Sequence, residues 1–230
     1  MKKALVLGID YIGTEDRLYG CINDASSMAN MLTKRGYEVV LLTDNTDPKP
    51  FKDVILAELE KLVTSDSNRL FFSYAGHGVQ TVGNAAESDG MTENLYSLDL
   101  KFISDDEILQ ILKKMRPSQT LIAVVDACHS GTVFDLQYNL VPEQAIRTER
   151  NSIVLDSDVI LLSAAIDSQT SEEINGAGVF TRAFLATIVG SNYNVSPSFL
   201  IDDILRQVKM YQTPQISASK TELLVNSLNI

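Results

Sequence analysis

The sequence is poor in the residues that build disulfide frameworks and metal cages. Its 230 residues include two cysteines, two histidines and no tryptophan. Two cysteines cannot form a disulfide framework or a four-ligand zinc site. With 45% hydrophobic and 21% charged residues, the chain has the composition of a globular domain that depends on a packed core. The scarcity of cysteine also indicates a reducing, cytoplasmic setting, in which a reactive thiol survives.

Positive charge and long hydrophobic runs are scarce as well. The chain has 19 Lys and Arg residues against 30 Asp and Glu residues, a net charge of −11. An acidic protein of this kind is a poor ligand for nucleic acid phosphates or anionic lipids, so we expect neither partner. The first apolar run stops at Asp10, too early for a signal peptide, and no run is long enough to cross a membrane.

Short apolar runs alternate with helical patterns along the chain. This alternation predicts an α/β fold with a mainly parallel sheet and helices on both faces. Two polar stretches, 79–102 and 132–156, are long for connections and are predicted to be irregular. The predicted strands are 4–9, 37–43, 70–74, 121–125, 159–163 and 222–225. The predicted helices are 21–35, a segment opened by Pro50, 104–115 with a Ser104/Glu107 capping box, 180–189 and 197–211.

One cysteine and one histidine follow directly on two of the predicted strands. His77 lies between two glycines after strand 70–74, and Cys128 follows strand 121–125 in VVDACHSG. If these strands are neighbours, the two side chains share one edge of the sheet. His129 is a poorer partner, because adjacent residues of an extended chain point to opposite sides. Cys128 and His77 therefore form a candidate nucleophile and base, although a buried structural thiol beside a loop histidine remains an alternative.

Two backbone N–H groups complete this candidate site. Those of Gly78 and Cys128 could form an oxyanion hole, the donor pair that stabilises a negatively charged oxygen in acyl transfer.

The segments FFSYAGHG and VVDACHSG resemble the caspase-like cysteine peptidases, and more closely the metacaspases. The resemblance implies a caspase-like three-layer α/β/α sandwich with a mainly parallel central sheet. It implies one peptidase domain over 1–230, with a large-subunit-like portion at 1–150, a small-subunit-like portion at 151–230 and no N-terminal prodomain. Further segments resemble the family in its order: GCINDA, CHSGTVFDL, DSQTSEE, GVFTRAFL and QTPQISAS.

The resemblance implies a Cys-His endopeptidase that cleaves proteins or peptides after Arg or Lys. It places Asp24 and Asp126 in the pocket for the basic residue, and we assign Cys21 and Ser163 to the same pocket. Two carboxylates suit a guanidinium, whereas near a thiolate they would by themselves raise its pKa. Alternatively, both acids cap backbone N–H groups. Cleavage after Asp is disfavoured, because it requires a basic pocket.

Calcium is a second implication of the resemblance, as an activating rather than a catalytic ion. Asp105, Asp106 and Asp135 match the family's calcium ligands. A further family acid falls on Thr92, so Glu93 is the candidate that replaces it. Alternatively, the acids at 105 and 106 only favour the first turn of a helix, where the helix dipole attracts negative charge.

The resemblance also concerns maturation and assembly. Some relatives cleave themselves, and Arg147 and Arg150 lie in a polar stretch that suits such a cut. The family's extra strands cover the sheet edge through which caspases dimerise, so we expect a monomer. The alternative to an active peptidase is a catalytically silent binding or regulatory protein on the same fold.

Overall fold

The computed structural model describes residues 1–82, 91–128, 133–142, 146–148, 154–164 and 178–230. Its strands are β1 (Lys2–Gly8), β2 (Tyr37–Thr43), β3 (Arg69–Ala75), β4 (Gly78–Val82), β5 (Met91–Tyr96), β6 (Phe102–Ser104), β7 (Thr120–Asp126), β8 (Tyr138–Leu140), β9 (Arg147–Thr148), β10 (Asp158–Ser163), β11 (Asn194–Val195), β12 (Gln215–Ala218) and β13 (Leu228–Asn229). Its helices are α1 (Cys21–Lys34), α2 (Lys52–Val63), α3 (Asp105–Leu112), α4 (Val179–Gly190), α5 (Pro197–Val208) and α6 (Glu222–Val225).

An eight-stranded sheet forms the centre of the molecule, in the order β2-β1-β3-β7-β10-β12-β8-β9. The first five strands in this order are parallel to their neighbours, whereas β12, β8 and β9 pair antiparallel. The expected mainly parallel sheet is therefore confirmed. Strands from both portions of the chain, 1–150 and 151–230, contribute to it: β7 pairs with β10, and β8 pairs with β12 across almost eighty residues of sequence.

The two faces of the sheet carry separate hydrophobic cores, as in a three-layer sandwich. Successive residues of β1 show the division: Ala4 and Val6 pack on one face with α1, α4 and α5, and Leu5 and Leu7 pack on the other with α2 and α3. A strand buried on both faces has no polar alternation, which is why its sequence is a continuous apolar run.

Three regions differ from the predictions. Residues 222–225, predicted as a strand, form the short helix α6, in which only Leu224 is buried. The prediction was wrong because four residues are too few to show either a helical or a strand period. The stretch 79–102, predicted as irregular, contains β4 and β5, which form a second sheet with β6. The stretch 132–156 likewise contributes β8 and β9 to the main sheet.

Strand β12 was missed because it has only four residues and two of its four buried side chains are polar. Gln215 and Ser217 are buried, and the Gln215 Nε2 donates to the Ser217 Oγ over 3.1 Å. Burial of polar groups that satisfy one another gives no hydrophobic signal in a sequence. The Ser104/Glu107 capping box of α3, in contrast, is present as predicted.

Candidate active site

The ends of β3 and β7 bring the candidate base and nucleophile to one edge of the sheet. These strands are parallel neighbours with Ala75 opposite Asp126, and the Gly76 N–H donates to the Asp126 carbonyl oxygen over 3.3 Å. His77 and Cys128 each lie two residues beyond this pair. The expectation that the two strands are adjacent is therefore confirmed.

The backbone at Gly78 lies directly against Cys128. A Cβ atom added at Gly78 would be 1.9 Å from the Cys128 carbonyl oxygen, so no side chain fits there. Glycine at this position allows the segment carrying His77 to approach the segment carrying Cys128. Cys128 is half-buried and His77 half-exposed, so a substrate can reach both side chains.

A backbone carbonyl fixes the tautomer of His77. The His77 Nε2 lies 2.7 Å from the carbonyl oxygen of Asp16, in the loop between β1 and α1. A carbonyl oxygen only accepts hydrogen bonds, so the neutral imidazole carries its proton on Nε2 and leaves the lone pair on Nδ1. This contact was missed in the sequence, because any residue type supplies a backbone carbonyl.

Two buried tyrosines next to His77 were also missed. Tyr11 directly follows Asp10, where the first apolar run stops, and its ring lies 4.8 Å from the imidazole, centre to centre. Tyr74 is on β3, and its hydroxyl donates to the His77 carbonyl oxygen over 2.8 Å. In the sequence Tyr74 belongs to an apolar run and Tyr11 directly follows one, which favours a core role for both. A tyrosine at the end of a strand beside a candidate site was the available signal.

The two predicted pocket acids converge on the N-terminus of α4. The Gly178 N–H donates to Asp24 Oδ2 over 2.7 Å, and the N–H and hydroxyl of Thr181 donate to Asp126 Oδ2 over 3.1 and 2.7 Å. A Cβ atom added at Gly178 would be 2.8 Å from Asp24 Oδ2 and 2.3 Å from Asp126 Oδ2. The two oxygens are therefore within about 5 Å of each other.

This arrangement concentrates negative charge in a buried place. Asp24 and Asp126 are only 5% and 6% exposed, and both accept hydrogen bonds from the start of α4. The capping role that the sequence left open is therefore present in the structure. The partial positive charge of a helix N-terminus offsets part of the carboxylate charge. A cationic group that reached this pair would offset the rest.

The two remaining candidate pocket residues lie next to these acids along their own elements. Cys21 begins α1, one turn before Asp24, and its N–H donates to Asp10 Oδ1 over 2.9 Å. Ser163 ends β10 opposite Val125, the residue before Asp126. Both side chains are buried, Ser163 completely.

Three predicted calcium ligands form one cluster. Single carboxylate oxygens of Asp105, Asp106 and Asp135 all lie within 4.8 Å of one another. Asp105 is buried, Asp106 is exposed, and Asp135, half-buried, has a positive φ of 49°. The start of α3 and the segment after β7 thus meet here, although they are far apart in the sequence.

Glu93 lies beside this cluster. Its N–H donates to Asp105 Oδ2 over 3.1 Å, and its own Oε1 accepts from Gln80 Nε2 over 2.9 Å. Burial raises the pKa of the Asp105 carboxyl, and hydrogen bonds from the backbone of Asp106 and Glu93 offset part of that shift. A buried acid with a raised pKa gains from a bound cation.

Of the two candidate self-cleavage residues, the structure describes one. Arg147 is exposed on β9, the last strand of the main sheet, opposite Asn139 of β8. Arg150 lies outside the described residues. Among the helices of the described part of the chain, none combines the length and apolar character that a bilayer crossing requires.

Comparisons with known proteins show which family the chain resembles in sequence. The metacaspase peptidase C14 domain family matches residues 2–137. The chain is 37% identical to Metacaspase-1 of Kluyveromyces lactis over 84% of its length, and 34% identical to Metacaspase-1 of Lodderomyces elongisporus over 95%. It is 31% identical to Metacaspase-3 of Trypanosoma brucei brucei, over 95% of its length and 71% of that protein. It spans 47% and 51% of the two yeast proteins, about half their length.

Solved structures show the same fold. A Geobacter sulfurreducens protein of 23% identity superposes with a TM-score of 0.76, over 98% of this chain and 97% of that one. Caspase-1 of Spodoptera frugiperda, 13% identical, superposes with a TM-score of 0.61 over 94% of this chain and 85% of its own. The chain thus has a caspase-like α/β fold, and it belongs to the metacaspase family of peptidase C14 domains.

Proposed function

We propose that this domain is a cysteine endopeptidase in which Cys128 is the nucleophile and His77 the base. The observation that carries the proposal is the convergence of the β3 and β7 ends, with Gly78 against the Cys128 backbone. The contact between His77 Nε2 and the Asp16 carbonyl supports it, because it leaves Nδ1 able to take a proton.

The reaction has two halves. His77 Nδ1 takes the thiol proton, and the Cys128 sulfur attacks the scissile carbonyl carbon. As the C–N bond breaks, the imidazolium gives this proton to the departing amine, which leaves a thioester on Cys128. A water then loses a proton to His77 and attacks the thioester, and the thiol is regenerated with release of the carboxylic acid. The N–H groups of Gly78 and Cys128 stabilise the oxyanion in both halves.

The substrate residue before the cleaved bond is Arg or Lys in this proposal. The buried pair Asp24 and Asp126 supports it, since two carboxylates within about 5 Å favour a cation between or beside them. The planar guanidinium of Arg can contact two carboxylates at once, so Arg should be the better substrate. Cys21 and Ser163 complete the lining from α1 and β10.

Calcium activates the enzyme by binding the cluster of Asp105, Asp106 and Asp135, with Glu93 as the additional acid. Carboxylate oxygens from a flexible set of ligands are what calcium prefers, and the burial of Asp105 adds an incentive to neutralise its charge. Calcium would supply charge neutralisation that joins the start of α3 to the segment after β7. That segment begins a few residues beyond Cys128, so an ion bound to Asp135 would affect the position of the chain that follows the nucleophile.

We further propose that the domain is a cytoplasmic monomer that cleaves itself after Arg147 or Arg150. Strand β12, which near the C-terminus would otherwise be an edge, is paired with β8. A covered edge cannot recruit the same strand of a second copy.

Paired fluorogenic peptides ending in Arg and in Asp test the activity. Each is assayed with millimolar calcium and with a chelator, next to Cys128→Ala. We expect cleavage of the Arg peptide only, abolished by the substitution. Cleavage of the Asp peptide would refute the acidic pocket. No cleavage by folded protein, together with an ordinary alkylation profile for Cys128, would refute the dyad and favour a silent binding protein.

A further inference from the structure

The backbone of His77 is held to the backbone of Tyr96 by two tyrosine hydroxyls. The His77 N–H donates to the Tyr11 hydroxyl over 3.0 Å, which donates to the Tyr96 carbonyl oxygen over 2.7 Å. The Tyr96 N–H approaches the Tyr74 hydroxyl at 3.2 Å, and that hydroxyl donates to the His77 carbonyl oxygen over 2.8 Å. The Tyr11 hydroxyl thus accepts from His77 and donates to Tyr96. The Tyr74 hydroxyl also lies 2.9 Å from the Tyr96 carbonyl oxygen, so its single proton lies between the two carbonyl oxygens of these residues.

These bridges extend a β-ladder by one position. Strands β4 and β5 pair as far as Gly78 and Leu95, so His77 and Tyr96 are the next residues of the two chains. The Tyr96 N–H donates directly to the His77 carbonyl oxygen over 3.2 Å. In a hydrogen-bonded antiparallel pair, the His77 N–H would also donate directly to the Tyr96 carbonyl oxygen. Here the Tyr11 hydroxyl lies between these two groups and bridges them.

Both tyrosines are fully buried in the core. Tyr11 and Tyr74 are 0% and 1% exposed, and their hydroxyl oxygens lie 3.1 Å apart. Tyr11 also has a positive φ of 50°, which a non-glycine residue adopts at a cost. A Cβ atom at Gly76 would be 2.6 Å from the Tyr74 hydroxyl and 3.0 Å from that of Tyr11, so the turn from β3 to His77 closes directly over them.

The Tyr11 ring also packs against the imidazole of His77. The two rings lie 4.8 Å apart at an interplanar angle of 36°. Burial raises the pKa of both tyrosine hydroxyls well above the usual value, so both remain protonated donors at neutral and moderately alkaline pH. Tyr11 therefore contacts His77 at its N–H and at its ring, while the Asp16 carbonyl contacts Nε2.

We propose that Tyr11 and Tyr74 are positioning residues, whose hydroxyls hold the His77 backbone so that Nδ1 stays within reach of Cys128. The inference rests on the proposed dyad. It also ranks the two tyrosines. Without the Tyr74 hydroxyl, the direct bond from Tyr96 to the His77 carbonyl remains, whereas loss of the Tyr11 hydroxyl removes the bridge from the His77 N–H.

The test compares Tyr11→Phe and Tyr74→Phe with Tyr37→Phe, a buried tyrosine in edge contact with Phe71. Since a misplaced reacting group costs up to about 10²-fold in rate, we expect kcat of Tyr11→Phe to fall about ten-fold or more, with KM within about two-fold. Tyr74→Phe should lose less, and Tyr37→Phe nothing. Unchanged kcat in Tyr11→Phe would overturn the proposal.

Alkylation of Cys128 by iodoacetamide gives a readout that does not depend on the pocket. A thiolate reacts much faster than a thiol, so the pH profile of alkylation measures how well His77 assists Cys128. Tyr11→Phe should move this profile to higher pH, and His77→Ala should move it further. A lower melting temperature with an unchanged profile would mean a structural role only. If His77→Ala itself left the profile unchanged, the dyad would fail rather than the tyrosines.

Hydrogen exchange of the wild-type protein tests the same proposal without any variant, and so does not depend on whether the variants fold. The His77 amide donates to a buried hydroxyl, so it should exchange as slowly as the amides of β3 and much more slowly than those of the exposed loop around Asp16. Rapid exchange of this single amide in the wild type would overturn the proposal.

Discussion

Asp126 has two candidate roles, as an acid of the substrate pocket and as a cap of helix α4, and only the first requires its negative charge. Asp126 accepts two hydrogen bonds from Thr181, which a neutral amide oxygen could also accept. Asn at position 126 would therefore keep much of the capping and lose the negative charge. The two roles can be separated at this residue, because one needs an acceptor and the other needs a charge.

For Asp126→Asn we expect kcat/KM toward an Arg peptide to fall about 10²-fold or more, the usual cost of removing a buried partner of a charge. The loss of stability should be about 1–3 kcal/mol, as for one weakened buried hydrogen bond. Peptide hydrolysis and thermal melting measure the two effects. Thr181→Val is the matched control, since it removes a hydroxyl donor to the same oxygen and leaves the charge. Undiminished hydrolysis by Asp126→Asn would mean that this acid is only a cap.

At the scale of elements, the first turn of α4 is the part that holds the acid pair. Gly178 has a φ of −63°, which any residue can adopt, so its lack of a side chain serves close approach rather than backbone geometry. A methyl group there would meet both carboxylates, at 2.3 and 2.8 Å.

Gly178→Ala should therefore displace α4 from the acids. We expect a loss of about 1–3 kcal/mol in the free energy of unfolding, typical of overpacking, and a raised KM for Arg peptides. Gly190→Ala, at the other end of the same helix with open space around it, is the control, and it should be neutral or slightly stabilising. Denaturant unfolding and steady-state kinetics provide both numbers. Equal behaviour of the two variants would argue against the close packing of α4 on the pocket.

Calcium binding where α3 meets the segment after β7 should depend on pH. Calcium requires deprotonated ligands, and burial raises the pKa of Asp105. Calcium affinity should therefore weaken as the pH falls toward and through that raised pKa, and binding should release protons. Without calcium the sign is reversed: the raised pKa makes the buried acid stabilising when protonated, and this contribution disappears as the pH rises.

Isothermal titration of calcium in buffers of different ionisation enthalpy, at two pH values, measures the affinity and the released protons. Asp105→Asn should abolish the proton release, whereas Asp53→Asn, an acid in the first turn of α2, should not change it. Absence of any heat with millimolar calcium would refute the site.

For the whole molecule, the order of strands decides whether the proposed self-cleavage would separate the two fragments. A cut after Arg147 leaves β7 and β8 on the first fragment, and β10 and β12 on the second. The pairs β7–β10 and β8–β12 both cross this cut and lie inside one sheet. The fragments therefore share a core and should stay together.

We expect denaturing mass spectrometry after incubation with calcium to show two fragments, while light scattering of the native sample shows one particle of the 25.3 kDa chain. The double variant Arg147→Ala, Arg150→Ala should remain intact, and Cys128→Ala should also. A single uncut species in the wild type would refute self-cleavage, and a particle of twice the mass would refute the monomer.

The linear sequence determined the alternation of strands and helices, the helix cap at Ser104, and the positions of His77 and Cys128 at strand ends. These features depend on local periodicity and on residue types that chemistry requires, so they are visible without a fold. The short strands β8, β9 and β12 were not visible, because their stability comes from partners distant in sequence rather than from their own hydrophobicity.

Only the tertiary structure decided what surrounds the candidate site. The Asp16 carbonyl, the hydroxyls of Tyr11 and Tyr74, and the N-terminus of α4 act through backbone groups or through side chains that a sequence assigns to the core. Whether Asp24 and Asp126 lie together also depends on how α1 and β7 pack against α4. Long-range packing brings these groups within hydrogen-bonding distance, and such packing is a property of the whole chain rather than of any segment.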